Sequence, residues 1–389
     1  MRRTVKDLLV DIKNTSELIV DLAYSALLFD CEDIAEEVLD LESKIFNLLR
    51  ELRVMAILSA RRIDEAELVS GILQVANASH SIGNAAGDIA TLVLRGFKLP
   101  KEIVNTLILE LEETVAKAVV SEEAEIANKT LGEVKLHTKT GMRVIAIKRG
   151  FDWIFNPNRD TKILVGDILF ARGDISGFSK FFELTTGKSR TFEEEDVEIK
   201  IKDLDKAVDI LIDMRDLSEL AVDLSYSSLL YYNEDIAQEV AYLEERIDNM
   251  KFELQHWILK SSRYFRDYEI NPLVALLDLA YSSEQIADSA KEIAEIVLKR
   301  LEVHPILIDA MKETDEIITI VEVKEKSDLN GKTLGEAKVE TNTGMHVIAV
   351  RRGNKWITKP KASTKIYSGD VLIAKGTRES EALLKALCS

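Results

Sequence analysis

The sequence predicts an α+β multidomain chain in which two three-helix bundles alternate with two small α/β domains. Three observations predict this class. The chain is an internal duplication, the longer segment of each copy places apolar residues at helical spacing, and the shorter segment changes to strand-like apolar runs. At 389 residues the chain is long enough for several compact units. We therefore expect one helical and one strand-containing domain in each copy.

The duplication is visible in two blocks of each copy. Residues 16–45 return at 218–247 at a shift of 202, and the TLGE, TGM and GD patterns of residues 130–173 return at 333–376 at a shift of 203. The segments therefore alternate between the helical and the strand-containing type. The predicted boundaries are 1–118 and 203–316 for the bundles, 119–186 and 317–389 for the α/β domains, and 187–202 for a linker.

The helical segments carry apolar residues at every third or fourth position. Leu217, Leu220 and Leu224 form such a stripe in the second copy, and Ile82 and Ala86 begin one on the third helix of the first copy. Three long antiparallel helices make a bundle, and wide apolar stripes on a lone bundle are left exposed. We therefore expect the two bundles to pack against each other, within one chain or across a dimer.

The strand-containing segments change to short apolar runs bounded by glycine. Residues 144–147 (VIAI) predict a buried strand, and residues 168–170 predict another after the turn at Gly166. A final helix is predicted after the last strand of each copy, at about 176–185 and 378–387. This pattern is typical of a small α/β domain.

The overall charge argues against nucleic-acid binding. Acidic residues outnumber basic residues by 68 to 51, and the net charge of −17 repels phosphate backbones. Two distant cysteines, Cys31 and Cys388, are typical of a reducing compartment. The sequence has neither an apolar signal core nor a run of 18 apolar residues, and we therefore expect a cytoplasmic protein.

Two families share these motifs. The bundles resemble PhoU-type domains, through a Glu-x-x-x-Asp helix followed by an ED-I-A-x-E-V helix. The α/β segments resemble the C-terminal regulatory domain of TrkA/KtrA-type potassium-transport subunits (TrkA-C, or RCK-C), through LGE, the TGM(R/H)VIA(I/V)(K/R)RG strand and the GD turn. The resemblance implies a non-enzymatic cytoplasmic regulator of a cation transporter, foremost a potassium transporter, that senses a small ligand through its TrkA-C-like domains.

The resemblance also implies partners. The expected partner is an integral membrane cation transporter or channel subunit, which places the chain at the membrane periphery, and we expect a homo-oligomer. The alternative is a PhoU-like metal-binding adaptor in phosphate transport or signalling. An enzyme is not predicted, because the sequence has no H-x-x-x-H, H-x-E or G-x-S-x-G pattern.

The turn before the long strand of each α/β segment holds the candidate ligand residues. In relatives this turn contacts anionic nucleotides, and the resemblance implies His137 and Arg143 in the first copy and Asn342 and His346 in the second. Glu340 replaces His137 with the opposite charge, and a solvated loop is the alternative. Rossmann and Walker motifs are absent from the sequence, which disfavours NAD or ATP control through them. We expect the two domains to pair, with a small anionic ligand between them.

Recurring carboxylates are the candidate metal ligands. A spacing of four residues places two carboxylates on one helix face, where they repel by about 0.2–0.5 kcal/mol unless a cation lies between them. In PhoU-like proteins such pairs hold iron or zinc clusters, so the resemblance implies divalent, iron or zinc ions here. In the first copy His80 and Asn84 replace the pair on the third helix. The alternative is a solvated acidic face. The candidates are Glu17, Asp21, Glu219, Asp223, Glu284 and Asp288.

Overall fold

The structure is a computed structural model. It describes residues 3–28, 30–59, 61–97, 114–150, 152–155, 157–173, 177–188, 202–264, 270–313, 317–353, 355–358 and 360–389.

The first bundle (residues 5–94) consists of three long helices, α1 (Val5–Leu28), α2 (Glu32–Ser59) and α3 (Ile63–Leu94). Each helix has acidic side chains in its first turn, where they interact favourably with the helix dipole. Leu41 and Ile45 belong to the buried stripe of α2. The predicted three-helix bundle is therefore confirmed.

The first sheet domain (residues 114–188) is a four-stranded antiparallel sheet with helices at its ends. Its strands lie in the order β1, β4, β2, β3. Thr130 closes a capping box with Glu133 at the start of the first short helix. The elements are β1 (Thr114–Val119), α4 (Leu131–Val134), α5 (Leu136–Thr140), β2 (Met142–Arg149), β3 (Asp152–Phe155), β4 (Ile168–Gly173) and α6 (Phe178–Thr186).

The second copy repeats both domains. The second bundle (residues 202–313) consists of α7 (Lys202–Tyr231), α8 (Glu234–Ser261), α9 (Asn271–Leu298) and the short α10 (Pro305–Glu313). The second sheet domain (residues 317–389) has the strand order β5, β8, β6, β7. Its elements are β5 (Ile317–Glu322), α11 (Val339–Thr343), β6 (Met345–Arg352), β7 (Lys355–Thr358), β8 (Val371–Gly376) and α12 (Arg378–Leu387).

The two bundles pack against each other within the chain, as the width of their apolar stripes predicted. Helices α3 and α9 form the main contact, and Nε2 of Gln74 donates a hydrogen bond to the carbonyl oxygen of Glu292 at 2.7 Å. Buried residues of both bundles, with Phe170 and Ile373 of the sheets, form one continuous apolar core. Neither bundle therefore has a separate core of its own.

A reciprocal pair of tyrosines relates the two copies. The hydroxyl of Tyr24 lies 2.8 Å from Oγ of Ser283, and the hydroxyl of Tyr226 lies 2.7 Å from Oγ of Ser79. Both tyrosines are buried. Each tyrosine therefore hydrogen-bonds to the other copy, which indicates a pseudo-two-fold relationship.

Two boundaries differ from the prediction. Strand β1 begins at Thr114, before the predicted boundary at residue 118, because its pairing with β4 is a long-range contact. The second bundle also includes α10, which packs on α1 of the first bundle and was not predicted. Helix α7 begins at Lys202, and most of the predicted linker lies outside the described residues.

The sheets rest on the bundles through ion pairs. Nζ of Lys148 on β2 donates to Oε1 of Glu37 on α2 at 2.6 Å, and Arg351 on β6 pairs with Asp235 on α8.

None of the described helices has an apolar stretch of the length that a lipid bilayer requires.

Candidate functional site

A cleft lies between the two sheet domains and is lined by both. Its wider part has a volume of about 540 Å³, within the ~300–1,000 Å³ range of small-molecule sites. A narrower space of about 50 Å³ shares His137, Glu340 and His346 with the wider part. The expected pairing of the two domains around a cleft is thus present. The narrower space is lined by His137, Arg143, Arg172, Asp223, Glu340, Gly344, His346, Ile348 and Lys375.

A short helix, a glycine and a strand position the cleft residues in each sheet domain. Helix α5 carries His137 and is followed by Gly141, whose φ of +72° favours glycine, before β2 carries Arg143. The second sheet domain repeats this arrangement with Glu340 on α11 and His346 on β6. Nδ1 of His346 lies 3.4 Å from Oε2 of Glu340. The TGM motif therefore places two equivalent positions of each copy at the cleft.

The narrower space carries more positive than negative charge. Arg143, Arg172 and Lys375 line it together with the carboxylates of Asp223 and Glu340. Guanidinium groups donate two hydrogen bonds in parallel to carboxylate or phosphate oxygens, which makes them well suited to anionic ligands. The composition of the space therefore favours an anionic ligand over a cationic one.

Three of the four predicted ligand residues line the cleft. These are His137, Arg143 and His346. Asn342 lies outside both cavities, and its Nδ2 donates to the carbonyl oxygen of Ala337 at 2.9 Å. That the first three residues bind a ligand stays a prediction.

In each sheet domain, one cleft residue lies directly opposite a cation on the neighbouring strand. In the antiparallel register Arg143 is the partner of Arg172, and His346 is the partner of Lys375. Side chains of directly opposed residues point to the same face of a sheet. A group bound at Arg143 or His346 therefore lies next to a cation of the last strand.

These cations also reach carboxylates of the bundles. Nη1 of Arg172 lies 3.1 Å from Oδ2 of Asp21 on α1, and Nζ of Lys375 lies 2.8 Å from Oδ1 of Asp223 on α7. Two further ion pairs join this network within the helices. We call the eight residues the charge cluster: Lys13, Glu17, Asp21 and Arg172 with their repeat equivalents Arg215, Glu219, Asp223 and Lys375.

The carboxylates of the charge cluster are buried and paired. Lys13 contacts Glu17 and Arg215 contacts Glu219, both at 2.9 Å, and these carboxylate side chains are only 9% and 11% exposed. The alternative of a solvated acidic face is therefore wrong at these positions. Sequence reasoning missed the cations, although a basic residue precedes the glutamate by four positions in both copies. That repeated spacing was the available signal.

Comparison with protein families identifies the domains. A family model of the TrkA-C domain matches residues 115–186 and 318–389, and a family model of the PhoU domain matches residues 211–297. The chain contains two TrkA-C domains and a PhoU domain. The two sheet domains are the TrkA-C domains, and the PhoU match lies within the second bundle, of which the first bundle is the internal repeat. Both are regulatory and not catalytic domain families.

Individual relatives and solved structures match the chain to different extents. A 72-residue stretch is 32% identical to potassium channel protein 1 of Methanocaldococcus jannaschii and spans 18% of this chain and 22% of that protein. The crystal structure of PhoU from Pseudomonas aeruginosa matches 76% of this chain and 93% of its own, at 13% identity and a TM-score of 0.41. The GsuK RCK domain matches 79% and 78%, at 12% identity and a TM-score of 0.19. These two structural likenesses are too weak to support a functional conclusion.

Burial sets the protonation behaviour of the carboxylates between the TrkA-C domains and the bundles. Burial raises the pKa of Asp21 to about 6, although Arg172 acts in the opposite direction. Burial also acts to raise the pKa of Glu17, but the charges of Lys13, Lys375 and Arg172 outweigh it and lower this pKa. The two carboxylates on one helix therefore differ, because the pKa of Glu17 is lowered and that of Asp21 is raised.

The remaining two metal candidates, Glu284 and Asp288, lie in the PhoU domain and are not part of the charge cluster. Glu284 and Asp288 on α9 interact with α8: Nζ of Lys251 lies 2.7 Å from Glu284 and 3.0 Å from Asp248. Burial, with the nearby charges of Glu284 and Glu244, raises the pKa of Asp288 to about 6. Oε2 of Glu284 is buried without a hydrogen-bond partner. The predicted candidates did not include Glu244 and Asp248, although these two carboxylates have the same four-residue spacing.

No metal site is formed by geometry alone. Within the described part of the chain, no three His, Cys, Asp or Glu side chains lie close enough to hold a metal ion. In the first bundle His80 packs against Phe46, with ring centroids 5.8 Å apart, where the second bundle has Glu284 and Asp248. Burial lowers the pKa of His80. Metal binding by the predicted carboxylates therefore stays a prediction.

Proposed function

We propose that this protein is a non-enzymatic cytoplasmic regulator of a potassium transporter or channel and that it senses a small anionic ligand in the cleft between its TrkA-C domains. The domain content and the local likeness to a potassium channel protein support the class of partner. The partner is an integral membrane transport subunit. The chain binds it as a peripheral protein.

The observation that carries the proposal is the position of the cleft above the charge cluster. Arg143 and His346 line the cleft, and their strand partners Arg172 and Lys375 hold carboxylates on α1 and α7. An anion that binds next to Arg172 and Lys375 weakens their ion pairs with Asp21 and Asp223. The ligand thus changes the packing of the TrkA-C domains against the bundles, and the transport partner responds to this change.

A transport assay tests the proposal. Potassium uptake is measured in host cells that lack the chain and in the same cells supplied with the wild-type chain or with Arg143→Ala/His346→Ala. The wild-type chain is expected to restore the uptake response of the parent cells, and the double variant to restore less of it. Equal uptake with and without the chain contradicts the proposal.

A second candidate function is a metal-binding adaptor in phosphate transport or signalling. It is favoured by the carboxylates on α8 and α9 of the PhoU domain. Lys251 joins Glu284 to Asp248, the charges of Glu284 and Glu244 act to raise the pKa of Asp288, and Oε2 of Glu284 is buried without a hydrogen-bond partner. Carboxylate oxygens suit iron, zinc and harder divalent ions. Elemental analysis after incubation with zinc or iron tests this function, with Glu284→Gln/Asp288→Asn expected to lower the bound metal. The same metal content in Glu219→Gln/Asp223→Asn and the wild type assigns the metal to α8 and α9.

A further inference from the structure

The end of the α2–α3 hairpin exposes large apolar side chains. Helix α2 ends at Ser59 and α3 begins at Ile63. Ile57, Leu58 and Ile63 are 74%, 76% and 81% exposed, and Val54 one turn earlier is 56% exposed. Val54, Ile57 and Leu58 share one side of α2 because residues three and four apart are neighbours on a helix. We call these four residues the apolar tip. Clustered exposure of this kind usually marks an interaction surface.

The second copy keeps only part of this surface apolar: Leu259, at the position of Ile57, is 67% exposed. At the shift of 202 residues, His256 and Lys260 occupy the positions of Val54 and Leu58. Lys260 lies over the ring of Trp257 at 4.3 Å from its centroid. The same place on the same fold is therefore compatible with polar residues, so the fold itself does not require the apolar tip.

Charged residues of both signs surround the apolar tip. Residues 50–67 contain four arginines, four carboxylates and no lysine. Protein interfaces are enriched in arginine and depleted in lysine. Equal numbers of acids and bases give no net attraction to an anionic membrane or to nucleic acid, but they allow a surface to pair with itself. The charged residues are Arg50, Glu51, Arg53, Arg61, Arg62, Asp64, Glu65 and Glu67.

We propose that the apolar tip is the interface between two copies of this chain. In a two-fold pair each residue meets the reciprocal patch, so the apolar side chains of one copy cover those of the other, and the arginines of one copy face the carboxylates of the other. Nε of Arg62 already contacts Asp64 at 3.1 Å within one chain, with both side chains largely exposed. This pair exchanges partners at little cost because exposed ion pairs are weak.

Sedimentation of the full chain tests the proposal with a substitution that nature has already made in the second copy. Val54→His/Leu58→Lys is expected to raise the dimer dissociation constant at least tenfold, since it removes apolar area and adds charge to the interface. The fold tolerates it, because both positions are exposed. The matched control is Leu259→Ser, at the position equivalent to Ile57 and 67% exposed, which is expected to leave the dimer unchanged. A monomeric wild type, or an unchanged dimer in the double variant, overturns the proposal.

Complementary charge reversal adds a readout that only pairing of this tip produces. Arg61→Glu/Arg62→Glu and Asp64→Arg/Glu65→Arg are each expected to sediment as monomers, and their mixture as a heterodimer. Two variants that stay monomeric when mixed contradict the charge pairing. Vesicles of phosphatidylglycerol and phosphatidylcholine test the membrane alternative. Co-sedimentation of a monomeric wild type with these vesicles, lost in Val54→His/Leu58→Lys, assigns the apolar tip to a lipid surface and overturns the proposal.

Discussion

In the proposed mechanism, Arg172 and Lys375 connect the cleft between the TrkA-C domains to the helical bundles. Each lies on the last strand of a TrkA-C domain beside a cleft residue, and each is ion-paired with a bundle carboxylate. Lys375 and Asp223 are 10% and 12% exposed. A buried pair of this kind contributes little net stability, but removal of one partner leaves an uncompensated charge.

The Lys375 pair is therefore expected to behave non-additively. Lys375→Met should lower the free energy of unfolding by about 3–5 kcal/mol, because Asp223 stays buried without its cation. Lys375→Met/Asp223→Leu should recover most of that loss, as measured by urea denaturation. Lys385→Met, which removes a largely exposed partner of Glu381, should change stability by less than about 1 kcal/mol. Additive losses in the double variant contradict the burial of this pair.

Arg143 is expected to select charged ligands. Arg143→Ala should weaken binding of ATP, used as an anionic probe, by about tenfold or more, since a hydrogen bond to a charged group contributes about 1.5–3 kcal/mol. Adenosine, which lacks the phosphates, should bind the variant and the wild type equally in calorimetry. Lys139→Ala is the control, because Lys139 on α5 pairs with Glu125, which lies between β1 and α4, and Lys139 lies outside both cavities. Equal loss in both variants argues for a general charge effect.

The pH dependence of stability that Asp288 causes is a test of whether the PhoU domain binds metal. Its pKa is raised from 3.8 to about 6 in the folded chain, so the folded state binds the proton more tightly and stability falls as pH rises from about 4 to about 6. Asp288→Asn should therefore stabilise the chain above pH 6 in EDTA and have no effect near pH 3.5. Asp309→Asn, an exposed control, should show no such dependence. Zinc removal that destabilises the wild type but not Asp288→Asn favours the metal adaptor.

At the scale of elements, the short helix, glycine and strand of the TGM motif fix the cleft. Gly141 and Gly344 both have φ above +70°, but they differ in surroundings. A Cβ at Gly344 would lie 2.7 Å from Oγ of Ser380, whereas a Cβ at Gly141 would meet nothing within 4 Å. The two copies therefore use one backbone turn in two packing environments.

These glycines give a matched pair of substitutions. Gly141→Ala should lower stability by about 1–2 kcal/mol, the cost of a left-handed conformation for an L-residue. Gly344→Ala should lower it further, because Ser380 must also move. Thermal unfolding of the two variants measures the difference. Equal losses would show that Ser380 adapts without cost.

The elements were also the level at which the sequence was most informative. Apolar spacing and the duplication predicted the long helices, and the glycine turns predicted strands β2 and β4. The start of β1 at Thr114 and the packing of α10 on α1 were not predictable, because both depend on contacts with residues distant in sequence. For the same reason the ion pair of Asp21 with Arg172 was not predictable, because the two residues are 151 positions apart along the chain.

At the scale of the whole molecule, the two copies are related by a pseudo-two-fold axis and share one core. Tyr24 and Tyr226 exchange hydrogen bonds between the copies, and one apolar core runs through both bundles and into the sheets. The cleft lies between the two TrkA-C domains, and the charge cluster joins those domains to the bundles. A change at the cleft is therefore placed to reach both bundles at once.

Hydrogen exchange of α1 and α7 tests this coupling most directly. Amide exchange is measured with and without saturating ATP in the wild-type chain and in Lys375→Met/Asp223→Leu, which removes one ion pair of the charge cluster. We expect ATP to change exchange in both helices of the wild type, and to change it less in α7 of the variant. Unaltered exchange in α1 and α7 of the ATP-bound wild type, or an equal response in the variant, contradicts the coupling of the cleft to the bundles.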